Sequence, residues 1–192
     1  MSVNSKLQQM IEIAFMAALA FVIDLVIPTI EPVPGVYLNF SMIPIFLLAF
    51  RRGVIPSAVG GLLWGLLQIV TAEAYFLHIV QVILEYILAL LFISVAGFFR
   101  TPIQSAFRER NLKKGMGYVV LAVTLGSLSR YFWHFLAGFI FWTRLIYKME
   151  TVPGILFALW TQGLSAIGSA VLCSLILVPL LRTAPRLLKL NS

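Results

Sequence analysis

The sequence predicts an all-α, polytopic membrane protein: one bundle of six transmembrane helices over residues 1–192, without a soluble domain. The first observation is composition, because 61% of the 192 residues are hydrophobic and only 11% are charged. About a quarter of the residues of a soluble domain are charged, so this composition requires lipid around the chain. The second observation is that the apolar residues form long runs, and about 20 such residues in succession let a helix cross a bilayer.

Six apolar runs predict the individual helices, and short breaks with glycine, proline or charged residues separate them. The runs lie at about residues 9–27, 38–50, 54–71, 76–99, 117–142 and 152–181. Only Arg51, Arg52 and Gly53 separate the short second run from the third, which predicts a tilted or partly inserted second helix. The polar, basic stretch from Arg100 to Gly115 is predicted to be the longest connection.

The distribution of Lys and Arg predicts that both termini lie in the cytoplasm, because cytoplasmic connections of membrane proteins are enriched in these residues. With this orientation the outer connections carry only Arg144 and Lys148, and Arg130 lies within a span. The cytoplasmic segments carry the other eleven, which are Lys6, Arg51, Arg52, Arg100, Arg108, Arg110, Lys113, Lys114, Arg182, Arg186 and Lys189. The predicted location is therefore a cell membrane that the chain crosses several times.

Four polar or aromatic side chains on four predicted helices lie at a similar depth. Counted at 1.5 Å per residue from the outer helix ends, Trp64, Glu85, His134 and Gln162 are about 10–15 Å deep. Ionisable groups inside a span are costly and usually functional. A carboxylate next to aromatic rings predicts a pocket for a flat, cationic small molecule, whose charge the carboxylate neutralises and on whose rings the aromatic groups stack.

Helical spacing supports this pocket. His78, Gln81 and Glu85 are three and four residues apart and share one face of the fourth helix. A step of four residues on the fifth helix joins Gly126, Arg130, His134, Gly138 and Trp142. The sixth helix offers Phe157, Trp160, Gln162 and Ser165.

Other readings of the same residues stay open from the sequence alone. Glu85 paired with Arg130 or His134 is a buried ion pair that needs no ligand. His78 and His134 are the two histidines available to ligate a haem. Gly61 and Gly65 form a small-xxx-small pair of the kind that brings membrane helices together.

The motifs of several enzyme classes do not occur in the sequence. It contains no P-loop, no H-E-x-x-H and no G-x-S-x-G motif. Its two histidines and single cysteine give no multi-histidine metal site and no internal disulfide. Its basic residues lie in connections rather than in one basic-aromatic strip, which argues against nucleic-acid binding. We therefore predict a binding protein without a catalytic residue, cofactor or metal.

Four segments together resemble the thiamine-specific substrate-binding subunits, or S-components, of energy-coupling-factor vitamin transporters. They are GGLLWGLLQIV at 60–70, QVILEYILA at 81–89, SRYFWHFLAGFIFW at 129–142 and TAPRLLK at 183–189. The resemblance runs from about Ile11 to Lys189. It implies a six-helix subunit of the bacterial plasma membrane that captures thiamine from outside with high affinity. Such a subunit works with a transmembrane coupling protein and two ATPases, which drive uptake.

The resemblance also implies roles for individual residues. Glu85 and Tyr86 are implied to hold the charged ligand rings, and Tyr37 is the aromatic position of a first outer loop that folds over the site. The further ligand-contacting residues that it implies are Trp64, Arg130, His134 and Trp142. Ala14 and Ala18 form the small-residue pair on the first helix that is implied to dock on the coupling protein.

The sixth helix departs from the family pattern. Phe157 and Gln162 stand where the family has a tyrosine and an asparagine that hydrogen-bond the pyrimidine ring. One lost buried hydrogen bond is worth about 1 kcal/mol, so thiamine binding is expected to weaken but to persist. The alternatives are an S-component or a stand-alone carrier for a related cationic or pyrimidine-containing vitamin precursor.

Overall fold

The computed structural model describes residues 3–27 and 30–188. These residues form six α-helices, a β-hairpin and a short 3₁₀ turn at Pro185–Leu188. The helices are α1 (Val3–Val26), α2 (Ile43–Arg52), α3 (Val54–Val70), α4 (Ile79–Arg108), α5 (Leu112–Ile146) and α6 (Thr151–Thr183). The predicted helical class and the count of six helices are confirmed for this part of the chain. Lys189, which the orientation count and the TAPRLLK segment include, lies outside the described residues.

Helices α1, α4, α5 and α6 are long and apolar enough to cross a membrane. The 17 residues of α3 are at the lower limit of a span. The ten residues of α2 cover only about 15 Å, and Phe46 and Phe50 are completely buried. Helix α2 is therefore a short element inside the bundle, as its brief apolar run predicts, and the protein is a multi-pass membrane protein.

Helix α3 packs closely on α4 because glycines face the neighbouring backbone. A Cβ atom on Gly65 would lie 1.7 Å from the carbonyl oxygen of Tyr86, and one on Gly61 would lie 2.2 Å from that of Leu90. Only a residue without a side chain fits at either position. The predicted packing role of this glycine pair is confirmed, and the contact positions the part of α4 that carries Glu85.

The prediction of a long connection from Arg100 to Gly115 is wrong, because α4 continues to Arg108 and α5 begins at Leu112. Ile103 and Ala106 are buried on one face of this extension, whereas Arg108 at its end is exposed. The 30 residues of α4 are about 45 Å long, which exceeds the roughly 30 Å of hydrocarbon in a bilayer. The part of a helix that extends beyond the lipid can carry charged residues, so a charged stretch does not have to be a loop.

A β-hairpin between α1 and α2 is a feature that the apolar pattern does not predict. Strands β1 (Ile30–Val33) and β2 (Val36–Leu38) pair antiparallel around a turn in which Gly35 has φ +84°. Such a φ is strained for other residues. Two serines on α6 hold the exit of the hairpin: Ser165 Oγ accepts from the Tyr37 N–H at 2.9 Å, and Ser169 Oγ accepts from the Asn39 N–H at 3.0 Å. We call this side of the bundle the hairpin end.

A polar network ties several elements together at the opposite end. The Glu12 carboxylate on α1 pairs with Arg51 and Arg52, which lie at the end of α2. The side-chain amide of Gln104 donates to the backbone carbonyls of Phe50 at 2.8 Å and Arg51 at 3.2 Å. Ion pairs and hydrogen bonds therefore hold the helices together at this end as well, separately from the contacts at the hairpin end.

Candidate functional site

A cavity of about 460 Å³ opens at the hairpin end, between the hairpin and five helices. Its volume is within the range of small-molecule sites, about 300–1,000 Å³. Eight of the nine residues predicted for ligand binding lie on its wall, namely Tyr37, Glu85, Tyr86, Arg130, His134, Trp142, Phe157 and Gln162. The wall therefore includes the α5 stripe from Arg130 to Trp142, but only Glu85 of the predicted α4 face and only Phe157 and Gln162 of the residues named on α6.

Glu85 is 8% exposed, and neutral donors bind both of its oxygens. The Trp142 indole N–H donates to Oε1 at 2.8 Å, and the Gln81 amide donates to Oε2. Among the described residues the ion pairs are those of Glu12, and Glu85 takes part in none. The reading of Glu85 as half of a buried ion pair is therefore not supported, and its negative charge faces a cavity.

The two helices that carry Glu85 and Trp142 are both π-helical where these residues lie. The π turns are Ile83–Leu88 in α4 and Gly138–Ile146 in α5. Such turns are rare and occur frequently at functional sites. They widen the helix locally, so the faces that Glu85 and Trp142 occupy differ from those of a regular α-helix.

Arg130 is the cationic side chain on the described cavity wall, and it is 7% exposed. Its guanidinium carbon lies 5.2 Å from the Trp64 ring centroid and 5.6 Å from that of Tyr131. Its Nε–H donates to His134 Nε2 at 3.4 Å, whereas the buried Nη1 has no partner in the described structure. A ligand acceptor beside Nη1 would satisfy this group.

Trp64 is the predicted site residue that does not lie on the wall. It is completely buried, and its ring is beneath the Arg130 guanidinium. Its effect on the cavity is therefore to position Arg130. The sequence placed Trp64 at the correct depth, but depth alone does not distinguish a wall residue from one behind the wall.

Aromatic residues close the cavity on the side of α6 and the hairpin. The Tyr147 and Phe157 rings meet edge to face with centroids 5.8 Å apart, and both line the cavity. Tyr147, at the end of α5, therefore places a phenol ring next to Phe157, which has no hydroxyl group. Burial and the nearby Glu31 carboxylate raise the pKa of the Tyr37 hydroxyl, so it stays a neutral hydrogen-bond donor at neutral pH.

A second carboxylate on the wall was not predicted. Asp24, near the end of α1, accepts from the Asn39 amide at 3.0 Å and from the Gln68 amide. All three residues line the cavity. This junction joins α1, the end of the hairpin segment and α3. No local pattern reveals it, because its members are 15 and 44 residues apart in sequence.

Three other residues that the sequence analysis named lie elsewhere. His78 caps the start of α4 through Nδ1, which accepts from the Val80 N–H at 3.1 Å, and its ring stacks on Phe141. Trp160 is on the lipid-facing side of α6, and Ser165 binds the hairpin. His78 and His134 are thus engaged in separate contacts, and the described residues contain no group of three or more metal-ligating side chains.

The face of α1 that carries Ala14 and Ala18 is exposed. In the most apolar stretch of α1 only 17% of the residues are buried, against 39% in each of α4, α5 and α6. Helix α1 is therefore the most peripheral of these four. Its small residues lie on a surface free to contact lipid or another protein.

Three comparisons place this structure among known proteins. A family model described as thiamine transporter protein matches residues 10–189. The thiamine transporter ThiT of Bacillus subtilis is 36% identical over 190 residues, 98% of each chain, and that of Lacticaseibacillus paracasei is 33% identical over 97% of this chain and 93% of its own. A solved structure of ThiT from Listeria monocytogenes superposes with a TM-score of 0.88 at 34% identity, and the match covers 96% of this chain and 99% of that one.

Proposed function

The chain belongs to the thiamine transporter protein family, and from this premise we propose that it binds thiamine at the hairpin end and delivers it for ATP-driven uptake. Members of this family are transporters, so the chain is a transport protein and not an enzyme. The observation that carries the proposal is a buried carboxylate, Glu85, that has no ion-pair partner among the described residues and opens into a cavity of about 460 Å³.

Thiamine has the chemistry that this cavity complements. Its thiazolium ring carries a permanent positive charge, and its aminopyrimidine ring is flat and rich in hydrogen-bonding groups. Glu85 supplies the opposite charge, and the rings of Trp142, Tyr86 and Tyr147 supply faces for a cation. A cation that enters a partly buried site loses hydration, and a carboxylate nearby offsets that loss, which makes Glu85 the main attractive group.

The departures at Phe157 and Gln162 bear on substrate choice. Gln162 lies on the wall and keeps an amide on a longer side chain, while Tyr147 brings a hydroxyl next to Phe157. These residues keep hydrogen-bonding groups available for a pyrimidine ring, which thiamine and a pyrimidine precursor share, and the Glu85 carboxylate on the same wall favours the cationic thiamine. A related cationic or pyrimidine-containing precursor is the second candidate ligand.

Titration of the purified protein with thiamine tests the ligand. The chain has four tryptophans, of which Trp142 lines the cavity, so we expect saturable quenching of tryptophan fluorescence with a Kd below about 1 µM, or about −8 kcal/mol. Thiamine phosphates and the isolated pyrimidine half serve as comparison ligands. Tighter binding of the pyrimidine half would assign the precursor as substrate, and an unchanged spectrum at saturating thiamine would rule out thiamine.

We also propose that the exposed Ala14–Ala18 face of α1 docks on a transmembrane coupling protein, which joins two ATPases in an energy-coupling-factor module. Small residues allow close approach between membrane helices, and α1 is the least buried of the four long spans. The positive charges at the opposite end then face the cytoplasm of a bacterial cell, with both termini inside and the hairpin end outside.

Ala18→Trp is expected to abolish co-purification with the coupling protein and to leave thiamine affinity unchanged, because the indole blocks close packing on the exposed face of α1, where Ala18 does not line the cavity. Pull-down of the complete complex measures the first effect, and fluorescence titration measures the second. Leu159→Trp, on the exposed face of α6, is the matched control and should co-purify normally. Normal assembly of Ala18→Trp would place the docking surface on another helix.

A further inference from the structure

The Gln81 side chain joins Glu85 to the loop between α3 and α4, which we call the 71–78 loop. Gln81 is completely buried and lies one helical turn before Glu85. Its amide nitrogen donates to the Tyr75 carbonyl at 3.1 Å and to Glu85 Oε2, and its amide oxygen accepts from the Leu77 N–H at 3.1 Å. Both amide hydrogens are therefore engaged, one on the loop and one on the ligand-facing carboxylate.

Further contacts close this link into a ring of side chains that includes Glu85 and Trp142 of the cavity wall. The Tyr75 N–H donates to the Tyr86 hydroxyl at 2.9 Å, and the Tyr75 ring lies 5.0 Å from the Trp142 ring. Trp142 in turn donates to the other oxygen of Glu85. The ring thus runs from Tyr75 through Gln81, Glu85 and Trp142 back to Tyr75.

The 71–78 loop has few other attachments that would fix its tip. Most of its side chains are exposed, and Ala72 has φ +60°, an uncommon conformation for a residue with a side chain. The N–H groups of Glu73 and Ala74 donate to the Gln68 carbonyl at the base of the loop. The tip, with Tyr75 and Leu77, is therefore held mainly by the Gln81 amide and the Tyr86 hydroxyl.

We propose that Gln81 is a positioning residue that couples the 71–78 loop to ligand binding at Glu85. Gln81 fixes one oxygen of Glu85 and leaves its other lone pairs for a cation, while the same amide closes the loop over the cavity. A ligand that holds Glu85 in place then also stabilises the closed loop. Coupling of this kind is reciprocal, so loss of the link weakens ligand affinity by the factor by which the ligand stabilises the loop.

Hydrogen exchange of the backbone amides at residues 74–77 tests this coupling, which rests on the proposed function only for the identity of the ligand. In the unmodified protein we expect thiamine to slow exchange at these amides. Gln81→Met keeps the volume but removes all three hydrogen bonds. We expect it to speed exchange at 74–77, to remove the thiamine-dependent slowing, and to weaken thiamine binding by about 10- to 100-fold, within the usual range of coupling.

Gln104→Met is the matched control, because the half-buried Gln104 amide also donates to backbone carbonyls, those of Phe50, Arg51 and Leu188, but at the opposite end. It should lower stability and leave both the slowing at 74–77 and the thiamine affinity unchanged. If Gln81→Met does not fold, Gln81→Leu replaces it, since leucine is uncharged, is close to glutamine in size and has neither the donors nor the acceptor. Thiamine-dependent slowing at 74–77 that persists in the Gln81 variant would overturn the proposal.

A second arm needs no ligand and separates failure of this proposal from failure of the proposed function. In ligand-free protein, Glu85→Ala removes the acceptor at the far side of Gln81 and should speed exchange at 74–77. In the double variant with Gln81→Met it should add nothing further, because coupled residues are not additive. If the effects of the two substitutions on exchange at 74–77 add up, Gln81 does not link Glu85 to the loop, even if thiamine binds. If they do not add up, the link is supported, even if thiamine does not bind.

Discussion

Replacing Glu85 by glutamine is expected to weaken thiamine binding by about 100- to 4,000-fold. The substitution keeps the size of the side chain and removes the negative charge that a buried cation requires. Loss of one partner of a buried, hydrogen-bonded charge pair costs about 3–5 kcal/mol, and each 1.4 kcal/mol is a factor of ten in affinity. The new amide also presents a donor towards Gln81 or Trp142, which are themselves donors. Fluorescence titration with thiamine measures the change.

Glu150→Gln is the control for this variant, because Glu150 is an exposed carboxylate at the start of α6 that does not line the cavity. It makes the same change in net charge and should alter the affinity by less than a few-fold, as expected for exposed charges. Equal affinities for Glu85→Gln and the unmodified protein would mean that thiamine binds without the carboxylate, and the proposed site would then be wrong.

Gly65→Ala is expected to lower both the stability of the bundle and its affinity for thiamine. The added carbon would lie 1.7 Å from the Tyr86 carbonyl oxygen, so α3 and α4 must move apart. Overpacking of this kind costs about 1–3 kcal/mol, and more where only backbone can yield. The displaced residues are Tyr86 and its neighbour Glu85, so we expect the affinity to fall by about tenfold or more. Thermal unfolding in detergent and thiamine titration measure the two effects.

Gly163→Ala supplies the comparison, because no atom lies within 4 Å of a Cβ atom on Gly163 of α6. In a helix interior, alanine is favoured over glycine by about 0.5–1 kcal/mol, so this variant should be as stable as the unmodified protein or slightly more stable. If Gly65→Ala and Gly163→Ala unfold at the same temperature, a methyl group at Gly65 does not force α3 and α4 apart, and the prediction would be wrong.

The helices and the ligand-facing stripe follow from local sequence. Long apolar runs predict the spans, and the steps of four from Arg130 through His134 and Gly138 to Trp142 predict one face of α5, all of which lines the cavity. These signals are local, since a helix repeats its faces every three to four residues. Glu85 is recognisable because an acid in an apolar run is costly without a function.

Other parts of the site depend on contacts between distant segments. The Asp24 junction, the serines that hold the hairpin and the position of Tyr147 beside Phe157 arise only when the helices pack. The extension of α4 to Arg108 was missed because charge was taken to end a helix, whereas charge marks only where the helix leaves lipid. Trp64 was assigned to the wall because sequence provides depth but not the rotation of one helix against another.

The Asp24 junction has a mechanical consequence. One carboxylate at the end of α1 holds the segment that covers the cavity and also holds α3, and hydrogen bonds of about 3 Å are lost once their atoms separate by a further 0.5–1 Å. A tilt of α1 would therefore displace Asn39 and the hairpin segment that lines the cavity. A protein bound to the exposed face of α1 could thus, by moving α1, break these hydrogen bonds and release the ligand.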